Sequence, residues 1–229
     1  MARTATEIEI PLGEVSIDGT LAVPENAAGL VMFAHGSGSS RHSPRNRYVA
    51  ALLNQRGLAT LLFDLLTVAE EEIDAVTGTL RFDIDLLADR LTEATDRIAA
   101  MPAIRGLPIG YFGSSTGAAA ALIAAANRPG TVAAVVSRGG RCDLAASALP
   151  SVRAPTLMIV GGEDTWVLRT NREVAPLVAG PQRIEVIEGA THLFEEEGAL
   201  DAVARLAGDW FVRHFAGARE VAHTQSFRA

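Results

Sequence analysis

Three short stretches of this sequence hold residue types that could transfer an acyl group. Gly113-Ser114-Ser115-Thr116-Gly117 places a hydroxyl midway between two glycines. A serine oxygen is a poor nucleophile until a neighbouring base takes its proton. A tight strand-to-helix turn with small residues two before and two after the serine holds the oxygen where a base can reach it. That spacing selects Ser115 as nucleophile and leaves Ser114 to pack. The plainer alternative for Ser115 is a helix N-cap. Gly161-Gly162-Glu163-Asp164-Thr165-Trp166 offers Asp164 as the acid that fixes an imidazole tautomer and stabilises the imidazolium. Asp164 is equally placed to cap a helix starting near Trp166, and Glu163 is the second choice of acid. Glu188-Gly189-Ala190-Thr191-His192-Leu193-Phe194 supplies His192 as general base. The order Ser, Asp, His along the chain favours it. His214 and His223 fall in the last helix and tail, and His35 and His42 lie upstream. A fourth stretch, Ala34-His35-Gly36-Ser37-Gly38-Ser39-Ser40, lets backbone donors approach developing negative charge. The N–H groups of Ser37 and Thr116 are the candidate oxyanion donors. A phosphate-cradling loop is the alternative, but no G-K-[ST] completes one.

The elements that must position these loops follow from hydrophobic patterning. Residues 7–23 alternate, with turn signals at Gly13 and Asp18-Gly19, which predicts antiparallel strands at a sheet edge. Six nearly continuous apolar runs follow, at 29–34, 58–63, 107–112, 132–137, 156–160 and 183–187. Such runs predict parallel strands covered on both faces. Helical patterns at 44–56, 82–100, 115–127, 166–178 and 196–216 separate them, while 64–80 reads as irregular and its Glu70-Glu71-Glu72 run as a solvated face. The expected architecture is therefore α/β: a mostly parallel sheet of seven or eight strands with helices on both faces. All four loops then lie on the rim at the carboxyl ends of the strands. Residues 1–217 are expected to form a single domain and 218–229 a tail. The segment 138–155 is too short for a large helical cap over the site.

Composition narrows the partners. The 229 residues carry 20 basic and 27 acidic groups, a net charge of −7, so nucleic acid and anionic membrane are poor matches. Every basic residue is arginine, and the absence of lysine excludes Schiff-base chemistry, a Ser–Lys dyad and a P-loop lysine. The lone Cys142 forms no internal disulfide, no paired-cysteine metal site is present, and MARTATEIEI lacks the layout of a signal peptide. A soluble cytoplasmic protein acting on a small molecule is expected. Arginines gather near the predicted rim: Arg41, Arg45 and Arg47 after the first loop, Arg138 and Arg141 after the strand beyond the nucleophile. Arg45 and Arg47 fall in the first turn of a helix, where the macrodipole disfavours cations. His35, Arg45, Arg138 and Arg141 are accordingly candidate substrate-binding residues, suited to a carboxylate or phosphate. The alternative is that the arginines pair with the abundant scaffold acids.

Together, His35-Gly36-Ser37-Gly38, Gly113-Ser114-Ser115-Thr116-Gly117, Gly161-Gly162-Glu163-Asp164 and Ala190-Thr191-His192 resemble the α/β-hydrolase family, and within it the dienelactone-hydrolase-like branch. The resemblance spans most of the chain. It implies a Ser115–His192–Asp164 triad, no cofactor, and hydrolysis through an acyl-enzyme. Dienelactone hydrolases share this layout but use a cysteine nucleophile, so the resemblance carries the scaffold and not the dienelactone substrate. Sequence alone leaves two classes open: a serine hydrolase of small esters or thioesters, and a catalytically silent module that binds a ligand or partner.

Overall fold

The computed structural model describes residues 5–226, with side chains through residue 218. The strands are β1 (Thr6–Leu12), β2 (Val15–Ala22), β3 (Leu30–Ala34), β4 (Ala59–Phe63), β5 (Ile109–Ser114), β6 (Val132–Arg138), β7 (Thr156–Gly161) and β8 (Gln182–Ile187). The helices are α1 (Pro44–Gln55), α2 (Val68–Thr77), α3 (Ile84–Ala99), α4 (Thr116–Asn127), α5 (Thr165–Val174) and α6 (Ala199–Ser226). Eight strands form one sheet in the order β1-β2-β4-β3-β5-β6-β7-β8. β1 and β2 pair antiparallel, as do β2 and β4, and the remaining pairs are parallel. This is the expected α/β architecture with its antiparallel edge.

Two apolar layers cover the central strands. One packs Leu30, Met32, Leu61 and Tyr111 against α3 and α4, and the other packs Val31, Phe33, Phe112 and Val136 against α1 and α6. Successive residues of β3 thus alternate between the two layers, which is why the run reads as continuously apolar. β8 departs from the expected double coverage. It is the edge strand and its residues are at most half-buried.

Three further expectations change. The hairpin between β1 and β2 turns at Gly13-Glu14, with Gly13 at φ +58°, whereas Asp18-Gly19 lies inside β2. Residues 68–77 form a helix. Thr67 and Glu70 make a reciprocal capping box, and Gly78 ends the helix in the left-handed region. The sole fully buried side chain of α2 is the acid Asp74, so no apolar stripe announced it. Finally, α6 runs past the boundary expected at 217 to Ser226, through a stretch free of proline. Residues 227–229 and the side chain of His223 lie outside the described residues. No helix of the described residues is long and apolar enough to cross a membrane.

Strand order reverses around β3, whose neighbours β4 and β5 follow it on opposite sides. In open α/β sheets that reversal opens a crevice at the carboxyl ends. β3 delivers the His35–Ser40 loop to it and β5 delivers Ser115.

Candidate active site

β5 ends in Ser114, and α4 begins at Thr116, leaving Ser115 alone to make the corner. Its backbone is at φ +49°, ψ −121°, which a non-glycine residue adopts at a cost of about 1–3 kcal/mol. The two flanking glycines are required by close approach. A Cβ on Gly113 would lie 2.4 Å from Ala118 Cα, and one on Gly117 would lie 2.2 Å from the Ala34 carbonyl oxygen. Ser115 occupies the N-cap position of α4, yet its side chain makes no capping hydrogen bond. The capping alternative therefore fails at Ser115, and the hydroxyl faces a cavity.

The same holds for the acid. Asp164 sits at the N-cap of α5 with no side-chain capping bond. Its carboxylate instead accepts from His192 Nδ1 at 2.6 Å. Holding Nδ1 in this way leaves Nε2 as the nitrogen that could receive a proton. Glu163, the second choice, is exposed, while its backbone N–H donates to the Ala190 carbonyl at 3.0 Å and ties the two loops together. The His192 loop is anchored by Phe194, which is fully buried among α6 residues and held at φ +56°. Glu196 accepts from the Thr191 N–H at 3.0 Å on the other side. Ser115 and His192 line one cavity of about 270 Å³, together with Ser37, Arg45 and Arg138.

The oxyanion side differs in one respect from expectation. The Thr116 N–H is one of the donors at the start of α4 that no helical carbonyl reaches. The Ser37 N–H, in contrast, already donates to Thr116 Oγ1 at 2.8 Å. The Thr116 side chain thus latches the β3 loop to the elbow and occupies the donor that the sequence reserved for the oxyanion.

His35 makes structural links at both ring nitrogens and also lines a cavity of about 370 Å³. Its Nδ1 bonds the Gly36 carbonyl at 3.1 Å, and its Nε2 accepts from the Leu65 N–H at 3.2 Å. Burial lowers its pKa, with the Gly36 bond and nearby Asp64 opposing only in part. A neutral ring is the form that can accept from Leu65.

The arginines divide. Arg41 pairs with Asp64, Asp18 and Glu7. Arg141 forks onto Asp143, at 2.9 Å from Nε and 2.8 Å from Nη2, and lies over the Trp166 ring. Arg141 is therefore engaged by the scaffold and not poised for substrate. Arg45 reaches Glu195 at 2.7 Å. Arg138 finds no partner for Nε or Nη1, although its residue is 7 % exposed. Burial and the neighbouring Arg45 charge push its pKa down to about 10. Cys142 is buried, its thiol pushed up to about 12 by desolvation, and it contacts Ser137 rather than the site. Among the described residues, no group of three His, Cys, Asp or Glu side chains could hold a metal ion.

One site residue escaped the sequence reading. Asn46 is buried on α1 and accepts from Ser114 Oγ at 3.2 Å, fixing the floor of the cavity. An amide in register with Val49, Ala50 and Leu53 on the buried face of that helix was the available signal.

With this geometry in place, the comparisons are specific. The dienelactone hydrolase family model matches residues 17–215. A dienelactone hydrolase crystal structure from Anabaena variabilis is 57 % identical, with a TM-score of 0.91, covering 92 % of this chain and 98 % of that one. Est1E from Butyrivibrio proteoclasticus shares the fold at a TM-score of 0.78 and 14 % identity, covering 92 % of this chain and 99 % of its own. Proteins from two Mycobacterium tuberculosis strains, provisionally named phosphoribosyl transferases, are 55 % identical over 211 residues, 92 % of this chain. That match is 47 % of their length, so the chain spans about half of those relatives. On the extent of the family match, the chain belongs to the dienelactone hydrolase family and carries its α/β-hydrolase fold.

Proposed function

We propose that this hydrolase-family protein is a serine hydrolase that cleaves small carboxylic esters or thioesters through an acyl-enzyme on Ser115. The observation that carries the reading is the 2.6 Å bond from Asp164 to His192 Nδ1, made by a carboxylate that forgoes its helix cap. In this reading, His192 Nε2 takes the Ser115 proton as Oγ attacks the substrate carbonyl carbon. The negative charge on the former carbonyl oxygen is held first by the Thr116 N–H at the start of α4. Ser37 adds a second donor when its N–H swings from Thr116 Oγ1 to the oxyanion. His192 then gives the proton to the departing alcohol or thiol. Water, deprotonated by His192, attacks the acyl-enzyme, releasing the acid and restoring Ser115. The sum is ester plus water giving acid plus alcohol.

The buried Cys142 supports serine chemistry, since its thiol is engaged with Ser137 and hard to ionise. We assign the phosphoribosyl transfer named for the longer mycobacterial relatives to the part of them outside this match. The direct test is hydrolysis of p-nitrophenyl esters and thioesters by wild type and Ser115→Ala. Loss of about 10⁶ in kcat is expected on removing the nucleophile. Undiminished turnover in Ser115→Ala excludes the mechanism, and no turnover of any ester by the folded wild type favours a silent binding module.

A further inference from the structure

The two edges of the sheet are guarded differently. β1, at one end, carries Pro11 and the exposed acids Glu7 and Glu9, with no cation among its residues. Proline and charge are common means by which an edge strand avoids pairing with another chain. β8, at the other end, is unbroken by proline, and its two charges, Arg183 and Glu185, are opposite in sign. The Thr156 N–H donates to the Pro181 carbonyl at 2.8 Å, and the Gly162 N–H to the Ile187 carbonyl at 2.9 Å. Backbone groups alternate in direction along a strand, so Arg183, Glu185 and Ile187 turn theirs toward β7. Gln182, Ile184 and Val186 turn theirs to the side where the sheet ends. The flanking helices do not close that side. Of the strands, α6 packs chiefly on β6 and α5 on β7, and β8 stays at most half-buried.

We propose that β8 pairs antiparallel with β8 of a second copy of this chain, about a two-fold axis at Ile184. Only the outward-facing residues can bond, so Gln182, Ile184 and Val186 must meet one another across the axis. Centring on Ile184 pairs it with its own counterpart and pairs Gln182 with Val186 in both directions. Each then exchanges both of its backbone hydrogen bonds. The same register sets Arg183 opposite Glu185 twice, at the non-hydrogen-bonded positions where side chains stand closest. Sliding one strand by two residues faces Arg183 with Arg183, or Glu185 with Glu185, and like charges there oppose pairing. The charge pattern therefore selects one register. Arg183 and Glu185 already bond within the strand, and the axis extends them into a cluster of alternating sign. Ile184 and Val186, half-buried against Val167 and Leu168, gain apolar cover from the same residues of the second copy. Antiparallel pairing points the carboxyl ends of the two sheets in opposite directions, so the two Ser115 cavities open on opposite rims. A single pair of six-residue strands is small beside a standard interface of roughly 1,200–2,000 Å², so the dimer is concentration-dependent. The pairing stands or falls independently of the hydrolase reading.

Sedimentation velocity over a concentration series tests the pairing. Wild type is expected to pass from monomer to dimer as its concentration rises through the micromolar range. Arg183→Glu, at a side chain 64 % exposed, leaves the core untouched and sets like charges opposite each other. It is expected to raise the dimer dissociation constant about 10- to 100-fold, and Glu185→Arg to do the same. An equimolar mixture of these two variants restores opposite charges at every facing position and is expected to dimerise again. Gln182→Pro deletes an outward N–H at the first residue of the edge strand, is expected to weaken the dimer too, and serves if Glu185→Arg fails to fold. A wild type that stays monomeric throughout overturns the proposal. So does a dimer that Arg183→Glu and Gln182→Pro both leave unchanged, because its contact then lies on another surface. A mixture of the two charge variants that stays monomeric overturns the register. A series of species larger than a dimer marks head-to-tail pairing of β8 with β1 and overturns the two-fold arrangement.

Discussion

Two cavities open on either side of the segment Gly36–Ser39, and they treat charge in opposite ways. The larger, about 370 Å³, lies beneath α2 and is lined by Asp74, Arg81, Leu66 and Leu87. There the buried acid is matched: Arg81 Nε donates to Asp74 at 2.5 Å, and the same carboxylate accepts the backbone N–H groups of Leu80 and Arg81. The smaller holds Ser115, His192 and the unpaired Arg138. Volume thus points to one cavity and unmet polar demand to the other. A satisfied ion pair needs nothing further, whereas a desolvated cation without a partner needs a ligand. The Asp74–Arg81 pair is therefore structural in character, and the unmet polar demand lies on the α1 side.

That contrast can be broken from either side. On the α1 side, Asp164→Asn keeps the shape but donates where the carboxylate accepts, favouring the wrong imidazole tautomer. A fall of about 10⁴ in kcat is expected, read with any hydrolysed ester. A fall smaller than tenfold would leave Asp164 as loop scaffolding.

On the α2 side, His35→Ala is expected to act mainly on stability. It leaves the buried Leu65 N–H without its acceptor, at about 1–3 kcal/mol in chemical denaturation. An effect confined to turnover, with stability unchanged, would return His35 to the substrate. Its titration offers a finer test. Burial sets the folded pKa of His35 below its ordinary value, so the unfolded chain takes up the proton first. The corresponding stability is present above about pH 6.5, the ordinary histidine pKa, and is lost as pH falls toward the lower folded pKa. Subtracting the stability–pH curve of His35→Ala from that of wild type is expected to reveal this slope. His214 is also lowered, by burial and Arg213, and contributes equally to both curves. Parallel curves as pH falls below about 6.5 would contradict the assigned buried neutral ring.

The two regions also differed in how openly the sequence announced them. Ser115, Asp164 and His192 were legible because a strained elbow demands glycines at 113 and 117, and because each residue follows a run that reads as a strand, covered in β5 and β7 and at the sheet edge in β8. α2 was obscured by its own chemistry. It buries an acid clamped by Arg81 and exposes Ile73 and Val76, so hydrophobic periodicity pointed away from a helix. The Thr67–Glu70 capping box and Gly78 were the local signs of it. The pairing of Arg41 and Arg45 with acids, and its absence at Arg138, needed three-dimensional neighbours, whereas Arg141 pairs locally with Asp143. Glu195 meets Arg45 from 150 residues away, and Asp64 meets Arg41 from 23. Likewise, the Thr116 hydroxyl reaches Ser37 across 79 residues, a competition for the oxyanion donor that no linear motif encodes.

The central claim is that Ser115 is an activated hydroxyl. Treating the folded protein with a fluorophosphonate and mapping the modified peptide by mass spectrometry tests it most directly. The account predicts one adduct, on Ser115, that is abolished in His192→Ala. A folded protein that stays unmodified, or an adduct on any other residue, would contradict it.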